Sequence, residues 1–225
     1  MPSRLRLTVT GLATVAVLLG SAGCTGLDEA SAAGISRDDL VSEMAVQLAR
    51  VTGLTYTATY QLAGGTSATV TQAQKPARTA YVYPGGRLIE ETTGTTRCTG
   101  DTALKCTRTD PAPATATPLS GSTLITPEAA LALLNTASLD QDVEAGQHDT
   151  TIAGRHATCL DLKRVDGTPT AEFGVCVTNE GALGSFTATI AGQRFEQALT
   201  AYEEKVEPDA FALPASATVS DKRTR

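Results

Sequence analysis

The stretch LTYTATYQL, residues 54–62, alternates apolar or aromatic residues with threonine and glutamine. This alternation with a period of two, together with the β-branched and aromatic residues, indicates a β-strand that has one buried face. Glycines at residues 64–65 and the sequence PGG at residues 84–86 mark turns on its C-terminal side. Because such turns join antiparallel neighbours, the chain from residue 54 to residue 93 is predicted to form an antiparallel meander.

An amphipathic helix is predicted directly before this strand. Ser36 and Asp39 have the spacing of a capping box, and Gly53 can end the helix as its C′ residue. Between them, one apolar stripe recurs at helical spacing: Leu40, Val41, Met44, Ala45, Leu48 and Val51. We therefore expect this helix to pack against the apolar face of the sheet.

A second helix is predicted where Thr126, Pro127 and Glu128 supply an N-cap, a proline at N1 and an acid that complements the helix dipole. Residues 129–134 are apolar all round, which is typical of a buried helix. From residue 142 onward the pattern returns to strands. The predicted order is helix, meander, helix, meander, and a sheet of about nine strands is expected to curl strongly around its helices.

The five cysteines indicate an oxidising compartment. Apart from Cys24 they fall into two local pairs, Cys98 with Cys106 and Cys159 with Cys176. Counted outward from the turn at residues 167–168, the second pair falls on directly opposite strand positions, where a disulfide can form. A four-cysteine zinc site would require CxxC-type spacing, which this sequence does not have. We therefore predict two disulfides.

The sequence LLGSAGCT, residues 18–25, sets Cys24 directly behind small residues at the end of a short apolar run. With Arg4 and Arg6 ahead of that run, the pattern is typical of a bacterial lipoprotein signal. A transmembrane anchor is the alternative, but the run has about 14 residues whereas a span needs about 20. We expect cleavage before Cys24 and a lipid on its thiol; if processing fails, the chain would be secreted with a free Cys24.

These signals predict the domain organisation and the location. Residues 1–23 are expected to be the signal peptide, 24–35 a flexible tether, 36–215 a single domain and 216–225 a disordered polar tail. The mature protein would lie at the extracytoplasmic face of the cell membrane, held by its acyl chains.

The charge of the chain limits its partners. Removal of residues 1–23 would take away two arginines and no acid, and so change the net charge from −6 to −8. An acidic domain is repelled by phosphate backbones and by anionic lipid headgroups. We therefore expect no nucleic-acid partner and no electrostatic docking to the membrane.

No catalytic constellation is evident in the sequence. The acid pairs at residues 90–91 and 203–204 would point to opposite faces of strands, so neither can act as an acid and base pair. His148 and His156 could bind a metal together with Asp149, but lone surface histidines are the commoner case. We expect neither an enzyme nor a bound metal or cofactor.

Several segments resemble a known family. The sequences TPEAALALL at 126–134, DVEAG at 142–146 and TIAGRHA at 151–157 look like those of the LppX/LprAFG family of actinobacterial lipoproteins and of the wider LolA/LolB-like fold. The segment VEPDAFALP at 206–214 is similar to the ends of those proteins. The resemblance implies an α+β fold in which a strongly curved antiparallel sheet, a half-barrel, is covered by two helices.

The resemblance also implies an apolar cavity between sheet and helices that holds acyl chains. The residues that could line it are Met44, Leu48, Tyr56, Ala58, Tyr60, Leu131 and Leu134, with Val70 and Val82 on the same inner face. All of them would serve equally well as an ordinary core. Two functions follow: binding or transfer of a lipid or glycolipid, or a non-transport envelope module, sensor or structural, with a closed core and a protein partner.

Overall fold

The computed structural model describes residues 36–100, 103–111, 119 and 121–224. Cys24, the predicted signal peptide and the predicted tether therefore lie outside the described residues.

Both predicted helices are present with their predicted caps. Helix α1 spans Arg37–Ala49; the Ser36 hydroxyl accepts a hydrogen bond from Asp39 N at 3.2 Å, and the Asp39 carboxylate accepts one from Ser36 N at 3.2 Å. A 3-10 turn, Arg50–Gly53, follows it. Helix α2 spans Pro127–Ala137, and its N-cap Thr126 accepts from Ala129 N at 3.2 Å.

Twelve strands of the described part of the chain form one sheet. They are β1 Tyr56–Leu62, β2 Ser67–Gln74, β3 Ala77–Tyr83, β4 Gly86–Glu91, β5 Gly94–Thr99, β6 Lys105–Thr109, β7 Glu144–Ile152, β8 Arg155–Lys163, β9 Glu172–Thr178, β10 Leu183–Ile190, β11 Gln193–Glu203 and β12 Thr218–Asp221. Their order is β12-β6-β5-β4-β3-β2-β1-β11-β10-β9-β8-β7. Every neighbouring pair is antiparallel except β12 and β6, which run parallel.

The sheet is open but strongly curved. Cα atoms of β7 and β11 approach within 8 Å although three strands separate them in the sheet order. From β1, the Tyr60 hydroxyl reaches across β11 to donate to Leu183 O on β10 at 2.9 Å. Helix α1 lies against α2 and against β7, β8 and β9. A half-barrel covered by two helices was the predicted fold class, and the architecture confirms it.

The sequence prediction misses three strands, β5, β6 and β12. Strands β5 and β6, GTTRCT and KCTRT, are short and lack a clear apolar alternation. Strand β12 lies within the segment that we expected to be a disordered tail, and that expectation is wrong for Thr218–Asp221. Its pairing partner β6 is more than a hundred residues away in sequence, so no local pattern could indicate the pairing.

A C-terminal strap, residues 206–217, covers the outer face of the sheet ahead of β12. Phe211 packs with Ala80 and Ile89, and the Arg78 guanidinium lies 4.0 Å from the centroid of the Phe211 ring. Arg87 donates to the Ala212 carbonyl at 2.6 Å. The strap therefore gives strands β3 and β4 a second buried face.

Val82 lies on this outer face, so its predicted place on the inner face is wrong. It stands opposite Thr69 and Arg87, and 37% of it is exposed. The alternate residue Tyr81 is the one that joins the inner core.

Candidate functional site

The seven residues expected to line one cavity belong to two separate packed clusters. Met44, Leu48 and Leu134 are buried in the first cluster, between the helices and strands β8–β11, and the half-buried Leu131 packs against it. The second cluster, between strands β1–β4 and the segment before α2, buries the other three: Tyr56, Ala58 and Tyr60. Apart from Leu131, each of the seven is at most 3% exposed. Four surface pockets formed by described residues have none of the seven in their walls.

A buried glutamine stands where the two clusters meet. Gln197 on β11 is 2% exposed; its side chain accepts from Ile125 N at 2.8 Å and donates to Ile125 O at 3.1 Å. Ile125 belongs to the first cluster and its neighbour Leu124 to the second. Because both groups of the amide are paired with one backbone residue, Gln197 ties the start of α2 to the sheet and fills the space between the clusters.

Polar groups gather on the inner face beside α2. The Tyr81 hydroxyl donates to Glu128 at 3.1 Å. Burial, and then the charge of Glu128, raises the pKa of Tyr81 well above its usual value, so this hydroxyl stays protonated. Burial also raises the pKa of Glu90, the charge of Glu128 adds to the rise, and Arg97 opposes it. The tyrosine is thus held as a hydrogen-bond donor to the carboxylate of Glu128.

Arg155 lies at one end of the curved sheet, where it contacts residues of other strands and turns. It donates to Glu180 at 2.6 Å, and its guanidinium lies over the ring of Tyr202. Tyr202 also stacks on Tyr56, with ring centroids 5.5 Å apart. A cavity of about 470 Å³ opens beside this group. The Tyr202 ring therefore already contacts a guanidinium and a second aromatic ring.

A larger pocket, about 720 Å³, opens around the ends of strands β8–β11. Gly174 lies beside two residues of its wall: a Cβ atom on Gly174 would be 2.8 Å from Thr187 Oγ1 and 3.0 Å from Asp161 Oδ1. The rim carries Lys163 and Arg194 as well as acids. Charged residues of both signs therefore border this pocket.

The two histidines lie on neighbouring strands, as predicted, but apart from each other. His148 Nδ1 is 3.7 Å from Asp161 Oδ2, whereas His156 borders the cavity beside Arg155. Among the described residues, no group of three or more His, Cys, Asp or Glu side chains could hold a metal ion. In the same part of the chain, no helix is long and apolar enough to cross a bilayer.

Both predicted disulfides are present. Cys98 on β5 is bonded to Cys106 on β6, and Cys159 on β8 is bonded to Cys176 on β9. In each case the two cysteines are direct partners in the strand register. The first bridge is buried beneath Leu213 of the C-terminal strap, so it supports the strap as well as the sheet.

Comparisons with known proteins bear on the fold. No family model matches the chain, and no curated protein matches it. An uncharacterised conserved protein from Thermus thermophilus has a similar structure, with a TM-score of 0.50 and 10% identity over 81% of this chain and 99% of that chain. The structure of MucB aligns with a TM-score of 0.49 and 12% identity over 78% of this chain and 63% of that chain. MucB in complex with MucA(peri) aligns with a TM-score of 0.44 and 10% identity over 80% of this chain and 61% of that chain.

Proposed function

We propose that this chain is a lipoprotein of the extracytoplasmic face of the membrane, anchored through Cys24, that binds a protein partner of the cell envelope. One observation carries the choice of partner binding over lipid transport. The side chains that would have to line an acyl-chain cavity are packed against one another in two clusters.

Polar cross-links add to the case for a closed interior. The amide of Gln197 bonds to the backbone of Ile125, ahead of α2, and the hydroxyl of Tyr60 bonds to the backbone of Leu183 in β10. An acyl chain placed along this interior would break these bonds and leave buried polar groups unpaired, at a cost of about 1 to 3 kcal/mol for each group. A ligand that gains only apolar contacts would have to offset that cost as well as the opening of the core.

Anchoring through lipid fits the charge of the domain. The acidic surface gains nothing from anionic headgroups, so the acyl chains at Cys24 would supply the attachment. Each buried methylene contributes about 0.8 kcal/mol, and two or three chains are needed for stable anchoring. Membership of the LppX/LprAFG family is part of this proposal and rests on the sequence resemblance.

Acyl-chain binding is the second candidate function. What favours it is that the first cluster includes the small residues Ala45, Ala129, Ala130 and Ala137 of the two helices. Helix α1 touches α2 and three strands, so a lipid could enter only if the helix pair lifted from the sheet.

Native mass spectrometry separates the two candidates. The Cys24→Ser chain, expressed at full length, would be incubated with phospholipid or with triacylglycerol and sprayed from a volatile buffer. We expect no lipid adduct beyond that of an unrelated acidic control protein. A stoichiometric adduct that survives collisional activation would overturn the partner-binding proposal and support lipid carriage.

A further inference from the structure

The C-terminal strap, residues 206–217, and strand β12 lie on the surface of the fold. Between residues 204 and 224, Phe211 is the one buried residue, and 8% of it is exposed. All four residues of β12 are exposed, and among the described strands β12 pairs with β6 alone. This segment therefore places little apolar surface in the interior of the protein.

The contacts of the strap are separate from the main core. Phe211 packs with Ala80 and Ile89, and Leu213 packs against the cluster around the β5–β6 disulfide. Among the described residues, no member of the two larger clusters comes from the strap or from β12. An element with few buried contacts opens at a lower free energy than the fold as a whole. We therefore expect the strap to detach while the rest of the sheet stays folded.

The contacts of the strap show what its site recognises. The Arg78 guanidinium lies 4.0 Å from the centroid of the Phe211 ring, and Arg87 donates to the next carbonyl, that of Ala212, at 2.6 Å. Further along the chain, β12 begins at Thr218 and adds to β6 as a parallel strand. The site thus accepts an extended chain that carries an aromatic residue followed by a short strand.

Detachment of the strap would uncover a surface suited to another extended chain. Ala80 and Ile89 are buried on the outer face in the cluster that Phe211 completes. The outer side of β6 pairs with no described strand other than β12. An unpaired strand edge beside an apolar site for an alternate side chain is the arrangement that binds peptides by strand addition.

We propose that the strap is a displaceable internal ligand, which occupies the docking site for an extended segment of a protein partner. The proposal rests on the proposed function and specifies how that partner binds. An aromatic residue of the partner enters the Phe211 site beside Arg78, and the segment that follows adds to β6 in parallel. Because the strap belongs to the same chain, its effective concentration at the site is about millimolar. A free segment at micromolar concentration is therefore excluded unless the strap is weakened.

A peptide copied from the strap tests this competition. The probe is fluorescein-labelled VEPDAFALPASATVSDKRT, residues 206–224, and the control peptide is the same sequence with Phe211→Ala. Fluorescence anisotropy with the full-length chain in detergent micelles measures the affinity. We expect the Phe211→Ala protein to bind the probe at least about tenfold more tightly than the wild-type protein does, because its own strap has lost the buried ring. The control peptide should bind the Phe211→Ala protein at least about tenfold more weakly than the probe.

A second variant of the strap separates loss of the ring from any change in this segment. Asp209→Ala alters an exposed side chain of the same strap, so the affinity for the probe should stay within about twofold of the wild-type value. Equal affinity of the wild-type and Phe211→Ala proteins for the probe would overturn the proposal. Equal affinity of the Phe211→Ala protein for the two peptides would do the same.

Hydrogen exchange tests the detachment in the wild-type protein without a peptide. The amides of Thr218 and Lys222, which donate to β6, should be protected at least about tenfold less than those of β1 and β11 in the middle of the sheet. Phe211→Ala should speed exchange in the strap, β12 and β6 and leave β1 and β11 unchanged.

Two results of this experiment would contradict displacement. Equal protection of β12 and β1, or faster exchange of β1 and β11 in the Phe211→Ala protein, would show that the strap unfolds only with the core. A lipid adduct in native mass spectrometry would instead overturn the proposed function, so the two failures are distinguishable.

Discussion

The guanidinium of Arg155 lies 4.2 Å from the centroid of the Tyr202 ring, and this contact joins β8 to β11 across the end of the curved sheet. Arg155 also bonds to Glu180 and approaches Glu204 to 3.8 Å. One side chain thus links the β7–β8 hairpin, the turn after β9 and the end of β11. It holds strands together that are not neighbours in the hydrogen-bonded ladder.

Replacement of Arg155 should therefore loosen the curved sheet. We expect Arg155→Ala to lower the free energy of unfolding by about 1 to 3 kcal/mol, because it removes a half-buried charge-assisted hydrogen bond and a cation–π contact. Arg155→Lys should recover part of the loss. The control is Arg194→Ala, whose exposed pair with Glu196 should be worth less than about 1 kcal/mol. Urea unfolding measures all three, and equal losses for Arg155→Ala and Arg194→Ala would contradict the linking role.

The raised pKa of Glu90 gives a pH-dependent prediction. Its folded-state pKa lies above the unfolded value, so stability falls as the pH rises from the unfolded pKa through the folded one. Glu90→Gln should therefore stabilise the protein at pH 7 and have little effect below pH about 4. Its neighbour Glu91 points to the outer face, where it pairs with Arg108 at 2.9 Å, so Glu91→Gln should not stabilise at pH 7. Thermal unfolding at pH 7 and below pH about 4 measures whether each replacement raises or lowers the stability.

Because the core is closed, a larger side chain placed in it should lower the free energy of unfolding. Ala58 is fully buried between tyrosines, so Ala58→Phe should destabilise the fold by about 1 to 3 kcal/mol through overpacking. Ala198→Phe, at an exposed position of β11, is the matched control and should be nearly neutral. If Ala58→Phe were also neutral, the interior would contain unfilled space, and lipid binding would become the better explanation.

The disulfides should contribute measurably to stability. They close loops with sequence separations of 8 and 17, for which chain entropy predicts about 2 to 3 kcal/mol each. Non-reducing peptide mapping should recover the same pairs from the native protein. The double replacements Cys98→Ser/Cys106→Ser and Cys159→Ser/Cys176→Ser should each lower the denaturation midpoint. Only the first should also speed hydrogen exchange in the strap, because that bridge lies beneath Leu213.

Lipidation at Cys24 predicts a change in both mass and location. The protein purified from membranes should begin at Cys24 and carry the mass of its acyl chains. Cys24→Ser should release the domain from the membrane, because the acidic surface offers no second attachment. Membrane fractionation measures the release, and a mutant that remained bound after a high-salt wash would contradict the prediction.

Local features of the sequence were sufficient to predict the helices, the first strand and the disulfides. A capping box needs only the segment from Ser36 to Asp39, the strand alternation lies within LTYTATYQL, and each cysteine pair flanks its own turn. In these places the residues that decide the structure are close together in the chain. The sequence therefore determined these elements and which cysteines can meet.

Tertiary contacts decided which face of a strand is inside and which distant segments pair. In β3, ARTAYVY, both Tyr81 and Ala80 are buried, the first by the inner core and the second by the strap, so burial on two sides hides which face is inside. Arg155 and Tyr202 are far apart in sequence yet lie in contact, and β12 pairs with β6. The place of β7 at one edge of the sheet is a property of the strand order. Such pairings depend on long-range packing free energy, which no short stretch of sequence contains.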